Sequence, residues 1–266
     1  AKISVFDHGL LYGDGVFETM RFSSGRISFL ALHLARLYRS FRTLGIALPS
    51  DRINAELKQV CAEVVSERLG DAVIKLIVTR GRSARGYNPA NATNPMTVIL
   101  VYPYHAQTDL RKFGIDLTLC STRLGDQPLL AGIKHLNRLE NVLARAEWYL
   151  EFHEGLMCDQ QGAVVEGTMS NVFFLKAHEL ITPDLSRCGV LGVMRRLIID
   201  TIAPRLGLKV REQAVRIESV KEFDSAFLTN VIIGVWPIRS YCGQPMNIDP
   251  LVHDIQSAVE KCREST

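Results

Sequence analysis

The side chain best suited to covalent chemistry is Lys134, near the middle of the chain. It follows a run of apolar and small residues (129–133), and burial among such residues lowers the pKa of a lysine because it disfavours the charged ammonium. A neutral amine is the form that attacks a carbonyl group to give a Schiff base. A lysine just before a helix can equally stay charged in solvent, so these residues alone leave both interpretations open.

A helix is predicted directly after this lysine. Asn137 and Glu140 have the three-residue spacing of a capping arrangement, in which each side chain accepts a hydrogen bond from a backbone N–H group that the helix leaves unpaired. The following apolar residues recur at helical spacing and define its apolar side: Leu139, Val142, Leu143, Ala146 and Leu150. We therefore expect Lys134 to lie on a short extended or turning segment at the start of this helix.

An anion-binding site could form at residues 189–195, where two glycines precede a predicted helix. The N–H groups of a first helical turn have no partner within the helix, and the helix dipole favours negative charge there. A glycine-rich entry to an ordinary helix is the alternative. Glu166 ends an apolar strand before Gly167, a routine turn position, and Arg36 is typical of a charge on the solvent side of a helix.

Alternating and helical patterns place these residues on a mixed set of elements. Strands are predicted over 16–22, 26–29, 72–79, 96–102, 115–122, 157–159, 163–166, 171–175, 209–215 and 226–233, and helices over 30–44, 50–69, 192–206 and 249–264. The three strands from 157 to 175 are expected to form a meander. Alternation along 16–22 predicts one face with Val16, Glu18, Met20 and Phe22 and an opposite face with Phe17, Thr19 and Arg21. A long polar loop is expected at 81–95, and polar residues 105–112 break the pattern. We therefore predict an α/β (mixed α+β) fold with a small N-terminal domain (1–108) and a larger C-terminal domain (109–266) that carries Lys134.

Composition narrows the class of protein. The 266 residues suffice for two modest domains, and a net charge of +3 argues against nucleic acid or a membrane surface as the partner. Six scattered cysteines without a C-x-x-C pair are typical of reduced thiols, and no metal site is predicted. Because no signal peptide and no membrane-spanning run is visible, we expect a cytoplasmic protein.

Several segments resemble, in order, the motifs of the fold-type IV pyridoxal-phosphate (PLP) enzymes. They are H-x-x-R-L at 33–37, I-K-H-L-N-R-L-E-N at 133–141, E-G-x-x-x-N-V-F at 166–173 and the glycine–helix junction at 189–195. This family comprises branched-chain and D-amino-acid aminotransferases and aminodeoxychorismate lyases. The resemblance implies its two-domain fold, PLP as cofactor and a homodimer. Because members usually carry a short strand before Ala1, it also implies that the N-terminus can be incomplete.

The resemblance implies roles for individual residues. Lys134 corresponds to the lysine that bonds the cofactor, and Glu166 to the carboxylate that pairs with its pyridine nitrogen. Three groups are expected to bind its phosphate: the side chain of Arg36 and the backbone amides of Val193 and Met194. Two further residues are candidates for contacts to cofactor or substrate: Ser170 and Asn230.

Two reactions of the family stay open. The string around Lys134 is most similar to that of the lyases, in which the lysine takes the C4 proton of 4-amino-4-deoxychorismate and loss of enolpyruvate gives 4-aminobenzoate and pyruvate. Thr19 also matches the lyases, where threonine helps proton transfer, whereas branched-chain aminotransferases carry glycine there. Glu18 is shared with the aminotransferases, so a D-amino-acid or branched-chain aminotransferase is the alternative. A non-catalytic binding protein on this fold is a third interpretation.

The basic loop after the strand at 72–79 resembles the lyase segment S-R-G-x-x-x-R-G-Y. A substrate with two carboxylates needs cationic or hydrogen-bonding partners, and the candidates are Arg80, Arg85 and Tyr87. A solvated loop is the alternative for each of them. Family analogy places Tyr12 near the Lys134 amine.

Overall fold

The computed structural model of the chain describes residues 2–92 and 94–265. The described residues separate into two units. The first unit contains the residues up to His105 together with Ile133–Asn137, and the second contains Ala106–Gly132 together with the residues from Arg138 onward. Both units combine β-sheet with helices, which confirms the predicted mixed α/β class.

The first unit is built on a four-stranded antiparallel sheet. Its strands are β1 (Gly15–Ser23), β2 (Arg26–Ile27), β3 (Ala72–Thr79) and β4 (Met96–Pro103), in the order β2-β1-β3-β4. Its helices are α1 (His8–Tyr12), α2 (Leu30–Leu44) and α3 (Ser50–Ser66), with a 3₁₀ turn at Pro89–Asn91. This turn lies within the predicted loop 81–95, of which Thr93 is outside the described residues.

Alternation along β1 decides which of its side chains reach the core. Successive side chains of a strand point to opposite faces. Val16, Glu18 and Met20 are buried, whereas Thr19 on the other face is half-buried. Helix α2 packs against β1 and ends at Gly45, whose φ of 65° is the left-handed conformation that glycine adopts most easily. The strand face and the helix end both agree with the sequence pattern.

The second unit contains a larger sheet. Its strands are β5 (Ile115–Leu124), β6 (Glu154–Asp159), β7 (Ala163–Gly167), β8 (Asn171–Lys176), β9 (Glu179–Pro183), β10 (Lys209–Gln213), β11 (Val215–Arg216), β12 (Ser225–Asn230), β13 (Gly234–Tyr241) and β14 (Gln244–Pro245). The order is β10-β9-β8-β12-β13-β5-β6-β7-β11, with β14 beside β13. The pairs β9–β10, β5–β13 and β5–β6 are parallel.

Helices complete the second unit. They are α4 (Thr108–Phe113), α5 (Leu139–Arg145), α6 (Val193–Leu197), α7 (Ala203–Arg205) and α8 (Pro250–Ser265), with a π-helical segment Ile198–Ile202 between α6 and α7 and a 3₁₀ turn at Ile217–Glu222. The core includes fully buried side chains of several strands, among them Ile115, Leu156, Phe174 and Leu228. None of the helices formed by the described residues is both long and apolar enough to cross a membrane.

Two strand predictions were wrong in detail. The three strands from 157 to 175 were expected to form a meander, but β8 pairs with β9 and β12 rather than with β7. The apolar run 226–233 is not one strand, because the Asn230 side chain accepts hydrogen bonds from the N–H groups of Ile232 and Ile233, both at 2.9 Å, and turns the chain. Strand β13 follows this turn.

The segment that carries Lys134 belongs to the first unit. Its backbone bonds to β1: Phe17 N–H donates to the carbonyl of Lys134 at 2.9 Å, and Leu136 N–H donates to Gly15 at 3.0 Å. Lys134 was predicted to lie in the C-terminal domain because it follows the polar break at 105–112. Pairing with a strand more than a hundred residues earlier explains why the segment groups with the first unit instead.

Candidate active site

Lys134 lies on an extended segment beside β1, as the sequence indicates, but the predicted cap of the next helix was wrong. Helix α5 begins at Leu139, and its first turn has no side-chain cap. Asn137 instead donates to the carbonyl of Gly13 at 3.1 Å, within the first unit. Glu140 accepts from the N–H group of Gly125 at 2.9 Å, within the second. Both side chains are therefore committed to long-range contacts rather than to the helix.

The Lys134 side chain is half-buried and lies over an aromatic ring. Its Nζ atom is 4.4 Å from the centre of the Phe17 ring. Phe17 and Thr19 share one face of β1 because side chains two residues apart point the same way. The structure therefore places the predicted proton-transfer residue Thr19 on the strand face that also carries the aromatic contact of Lys134.

The opposite face of β1 carries a buried charged cluster that the sequence analysis did not predict. Glu18 accepts two hydrogen bonds from Arg36, from Nε at 2.8 Å and from Nη2 at 2.5 Å. It also contacts His33, whose Nδ1 is 2.6 Å from Glu18 Oε2. The alternative that Arg36 is a solvent-facing charge was wrong, since α2 turns both Arg36 and His33 towards β1, where they are buried.

The groups of this cluster change one another's pKa values. Burial by itself would raise the pKa of Glu18, but the charge and hydrogen bonds of Arg36, together with those of His33, lower it to about 2. Burial lowers the pKa of His33, and the positive charges of Arg36 and Lys134 lower it further. The hydrogen bond and negative charge of Glu18 raise this pKa but do not outweigh the other effects. Glu18 is thus an anion. A neutral His33 then donates Nδ1–H to it, and His33 Nε2 is buried without a partner among the described residues.

The basic loop is divided between structural and exposed residues. Arg80 is buried and donates to both carboxylate oxygens of Asp14 and to the carbonyl groups of Leu44 and Gly45 at the end of α2. This set of contacts is that of a structural arginine, in contrast to the substrate role that the resemblance implies. Arg85 is exposed.

Two tyrosines from distant segments meet in the first unit. The ring of Tyr12, in α1, is 4.9 Å from the ring of Tyr87 in the basic loop. Tyr87 is 84% exposed, so most of its surface is available to a ligand or a partner. The structure therefore brings two of the predicted substrate-binding residues into contact with each other.

In the second unit, Glu166 is a buried carboxylate that accepts hydrogen bonds from Val190 and Asn171. Its Oε2 atom accepts the backbone N–H group of Val190 at 2.9 Å and the side-chain amide of Asn171 at 3.3 Å. Asn171 also donates to the carbonyl of Val190 at 2.9 Å. The charge of Glu166 acts to raise the pKa of the partly buried Arg138, although burial outweighs it and leaves that pKa below its ordinary value. Asn171 and Arg138 belong to the matched motifs but were not predicted as site residues.

The predicted anion site lies at the start of α6. Val193 and Met194 form the first turn after Gly192, and both are buried. Gly192 lets the Asn171 side chain lie close to the backbone, because a Cβ atom at position 192 would be 2.0 Å from Asn171 Oδ1. Arg195 of the same motif points elsewhere, donating to the carbonyl of Pro183 at 2.9 Å and to Glu212 at 2.7 Å. The amides, rather than this arginine, are thus the groups of α6 suited to an anion.

The two weaker candidates have structural partners. Ser170 Oγ donates to Glu154 at 3.0 Å, and the Asn230 side-chain amide donates to the carbonyl of Met169 at 3.0 Å. Both therefore fix the loop between β7 and β8. Glu154 is a buried residue that the sequence analysis missed, since an acid at the start of a strand carries no distinctive pattern.

The chain is similar to known proteins along most of its length. The amino-transferase class IV family model matches residues 15–241. The crystal structure of 4-amino-4-deoxychorismate lyase from Pseudomonas aeruginosa is 41% identical, with a TM-score of 0.92 over 98% of this chain and 95% of that one. The aminodeoxychorismate lyase of Vibrio harveyi is 33% identical over 247 residues, which are 91% of this chain and 89% of the relative.

An aminotransferase is similar to the same extent. The putative branched-chain-amino-acid aminotransferase of Methanocaldococcus jannaschii is 34% identical over 250 residues, covering 93% of this chain and 85% of the relative. The family match spans most of the chain, so this protein belongs to the class IV aminotransferase family. The resemblance and the fold predicted from the motifs are therefore confirmed.

Proposed function

We propose that this chain is a PLP-dependent lyase that converts 4-amino-4-deoxychorismate to 4-aminobenzoate and pyruvate, a step of folate biosynthesis. The observation that carries the proposal is its likeness to the Pseudomonas aeruginosa lyase, 41% identical along nearly the whole of both chains. The threonine at position 19 and the position of Lys134 beside β1 support it.

The described residues fit PLP. Lys134 supplies an amine for covalent attachment, and the buried Glu166 supplies a carboxylate for a protonated pyridine nitrogen. We propose the amides of Val193 and Met194 as donors for the phosphate. The resemblance adds the side chain of Arg36, two of whose donor atoms, Nε and Nη2, also bond to Glu18. Gly192 keeps the Asn171 side chain against the start of α6, because a Cβ atom at position 192 would lie 2.0 Å from Asn171 Oδ1.

Once bound, PLP supplies an electron sink that stabilises negative charge on a substrate carbon. Lys134 acts as the base that takes the proton from C4 of the substrate, and Thr19 helps to relay it. The bond from the ring to the enolpyruvyl oxygen then breaks, and its electron pair leaves with that oxygen. Enolpyruvate takes up a proton to become pyruvate, while the ring becomes aromatic. Aromatisation makes this step downhill, so the residues mainly orient the substrate and move protons.

The substrate carboxylates need partners, and we propose Arg85, Tyr87 and Tyr12 for this role. The contact between the two tyrosine rings and the exposure of Arg85 support it. Arg80 supports the loop through Asp14 and the end of α2, so we propose that it acts indirectly.

The second candidate is a D-amino-acid or branched-chain aminotransferase, favoured by the Methanocaldococcus jannaschii relative. One assay separates the two. The protein is supplied with 4-amino-4-deoxychorismate and no amino acceptor, and 4-aminobenzoate is measured; then amino acids are supplied with 2-oxoglutarate. We expect product in the first assay, whereas turnover only in the second would identify an aminotransferase.

We also propose a homodimer that acts in the cytoplasm. All six cysteines are free thiols, which suits a reducing compartment. The apolar stripe of α5 does not enter the core of its unit, contrary to the sequence prediction: Leu139, Val142 and Leu143 are 60–76% exposed. A contiguous apolar helix face of this kind is typical of a protein–protein interface.

A further inference from the structure

Glu154 has no part in the function proposed above, yet it is the centre of a dense buried network. Its carboxylate accepts five hydrogen bonds. Oε1 accepts from the N–H groups of Gly155 at 2.9 Å and Thr168 at 3.1 Å, and from the Thr168 hydroxyl at 2.5 Å. Oε2 accepts from Met169 N–H at 3.2 Å and from the Ser170 hydroxyl at 3.0 Å. Four of the five donors thus come from three consecutive residues.

The same three residues, 168–170, are held from the outside by two asparagines. Asn141 donates to the carbonyl of Thr168, and Asn230 donates to the carbonyl of Met169, each at 3.0 Å. The Met169 side chain is 53% exposed, whereas its backbone N–H group donates to Glu154 and its carbonyl group accepts from Asn230. A loop with this many satisfied polar groups has one strongly favoured conformation.

This loop controls the spacing between two residues of the site. It joins β7, which carries Glu166, to β8, which begins with Asn171. Asn171 must reach back to Glu166 Oε2 and to the carbonyl of Val190. Any change in the path of residues 168–170 displaces Asn171 and so alters a group that orients the Glu166 carboxylate.

We propose that Glu154 is a positioning residue: its carboxyl group fixes loop 168–170 and thereby holds Asn171 against Glu166. The consequence for the cofactor rests on the proposed function, whereas the fixing of the loop does not. Burial raises the pKa of Glu154, whereas the hydrogen bonds from Thr168, Gly155, Ser170 and Met169 act in the opposite direction because they favour the ionised form.

The decisive variant is Glu154→Gln, which keeps the shape of the side chain but puts an NH2 group where one carboxylate oxygen accepts. This NH2 group then faces N–H or O–H groups that are themselves donors, and at least one donor of the loop loses its acceptor. Glu147→Gln is the matched control. Glu147 also accepts two backbone N–H groups, from Ser121 at 2.6 Å and Thr122 at 2.8 Å, but these belong to β5.

Hydrogen exchange in the full chain, with and without added PLP, tests the loop directly. We expect the amide of Met169 to exchange about tenfold faster in Glu154→Gln and to be unchanged in Glu147→Gln. The Thr168 amide should change less, because its N–H group also donates to the carbonyl of Gly155 at 3.1 Å. Unchanged protection in a folded Glu154→Gln protein overturns the proposal. If that variant does not fold, Thr168→Val removes one donor, and unchanged exchange at Met169 then counts equally against it.

PLP binding distinguishes positioning from simple support of the fold. We expect Glu154→Gln to raise the dissociation constant of PLP about tenfold and to change the visible absorbance of the bound cofactor. Glu154→Asp, which keeps a carboxyl group, should restore part of both. Faster exchange with unaltered PLP binding and absorbance refutes a positioning role. If the unmodified protein does not bind PLP, the proposed function fails, while the exchange data still decide whether Glu154 fixes the loop.

Discussion

Arg36 donates two hydrogen bonds to the buried carboxylate of Glu18, from Nε at 2.8 Å and from Nη2 at 2.5 Å. The pair lies on the face of β1 opposite Thr19, because adjacent strand residues point in opposite directions. The glutamate that this chain shares with aminotransferases is therefore a partner of Arg36 and His33. Its presence is explained by the buried cluster and does not argue against a lyase.

The first prediction concerns the stability of this cluster. Glu18→Gln removes the negative charge and leaves the Arg36 guanidinium buried without its counter-ion, which typically costs about 3 kcal/mol. Urea unfolding monitored by circular dichroism measures the loss. Glu218→Gln is the control, because Glu218 lies 3.8 Å from Arg216 at the surface and such exposed pairs contribute below about 1 kcal/mol. Equal effects of the two substitutions would show that the cluster is not a stabilising unit.

Acid stability should depend on the same carboxylate. The pKa of Glu18 falls from 4.5 to about 2 in the folded chain, so the unfolded chain binds a proton first as the pH drops. The stabilisation from Glu18 is complete above pH 4.5 and is lost as the pH falls towards about 2. Unfolding free energies measured across this window should decline less steeply in Glu18→Gln than in the unmodified protein. Parallel pH profiles would contradict the assignment.

Thr19→Gly tests the proton-transfer role. Losing a positioned proton-relay group typically lowers the rate by about 100-fold, whereas the cofactor should stay bound because Thr19 is not among its proposed ligands. Steady-state formation of 4-aminobenzoate gives the rate, and visible absorbance gives cofactor content. Thr118→Gly is the control, since Thr118 is also a half-buried strand threonine, in β5. A similar loss of rate in both variants would assign Thr19 to the strand alone.

The exposed face of α5 predicts an interface. Leu143 is 61% exposed, so Leu143→Glu should leave the fold of the monomer intact while placing a charge in the proposed dimer contact. Light scattering after size-exclusion chromatography should show a dimer for the unmodified protein and a shift towards monomer for the variant. Val65→Glu, on the exposed side of α3, is the control. If the unmodified protein and both variants are monomers, the proposed interface at α5 is wrong.

Sequence patterns predicted most of the elements but not the long-range contacts made by the candidate site residues. Short-range periodicity identified β3, α2 and the faces of β1, because those signals lie within one segment. The capping prediction at Asn137 failed because its side chain bonds to Gly13, over a hundred residues away. The burial of Arg36 was missed for a related reason: its partner Glu18 lies on another element, and periodicity does not report which helix face meets which strand.

The central claim is that Lys134 is the lysine that carries the cofactor, and chemical trapping tests it most directly. Borohydride reduction of the protein with PLP, followed by peptide mapping, should find the pyridoxyl group on Lys134. Lys134→Ala should carry no such mark and form no 4-aminobenzoate, whereas Lys75→Ala, whose amine lies 5.2 Å from the centre of the Phe17 ring, should still be marked at Lys134. A pyridoxyl group on another residue, or turnover by Lys134→Ala, would contradict the account.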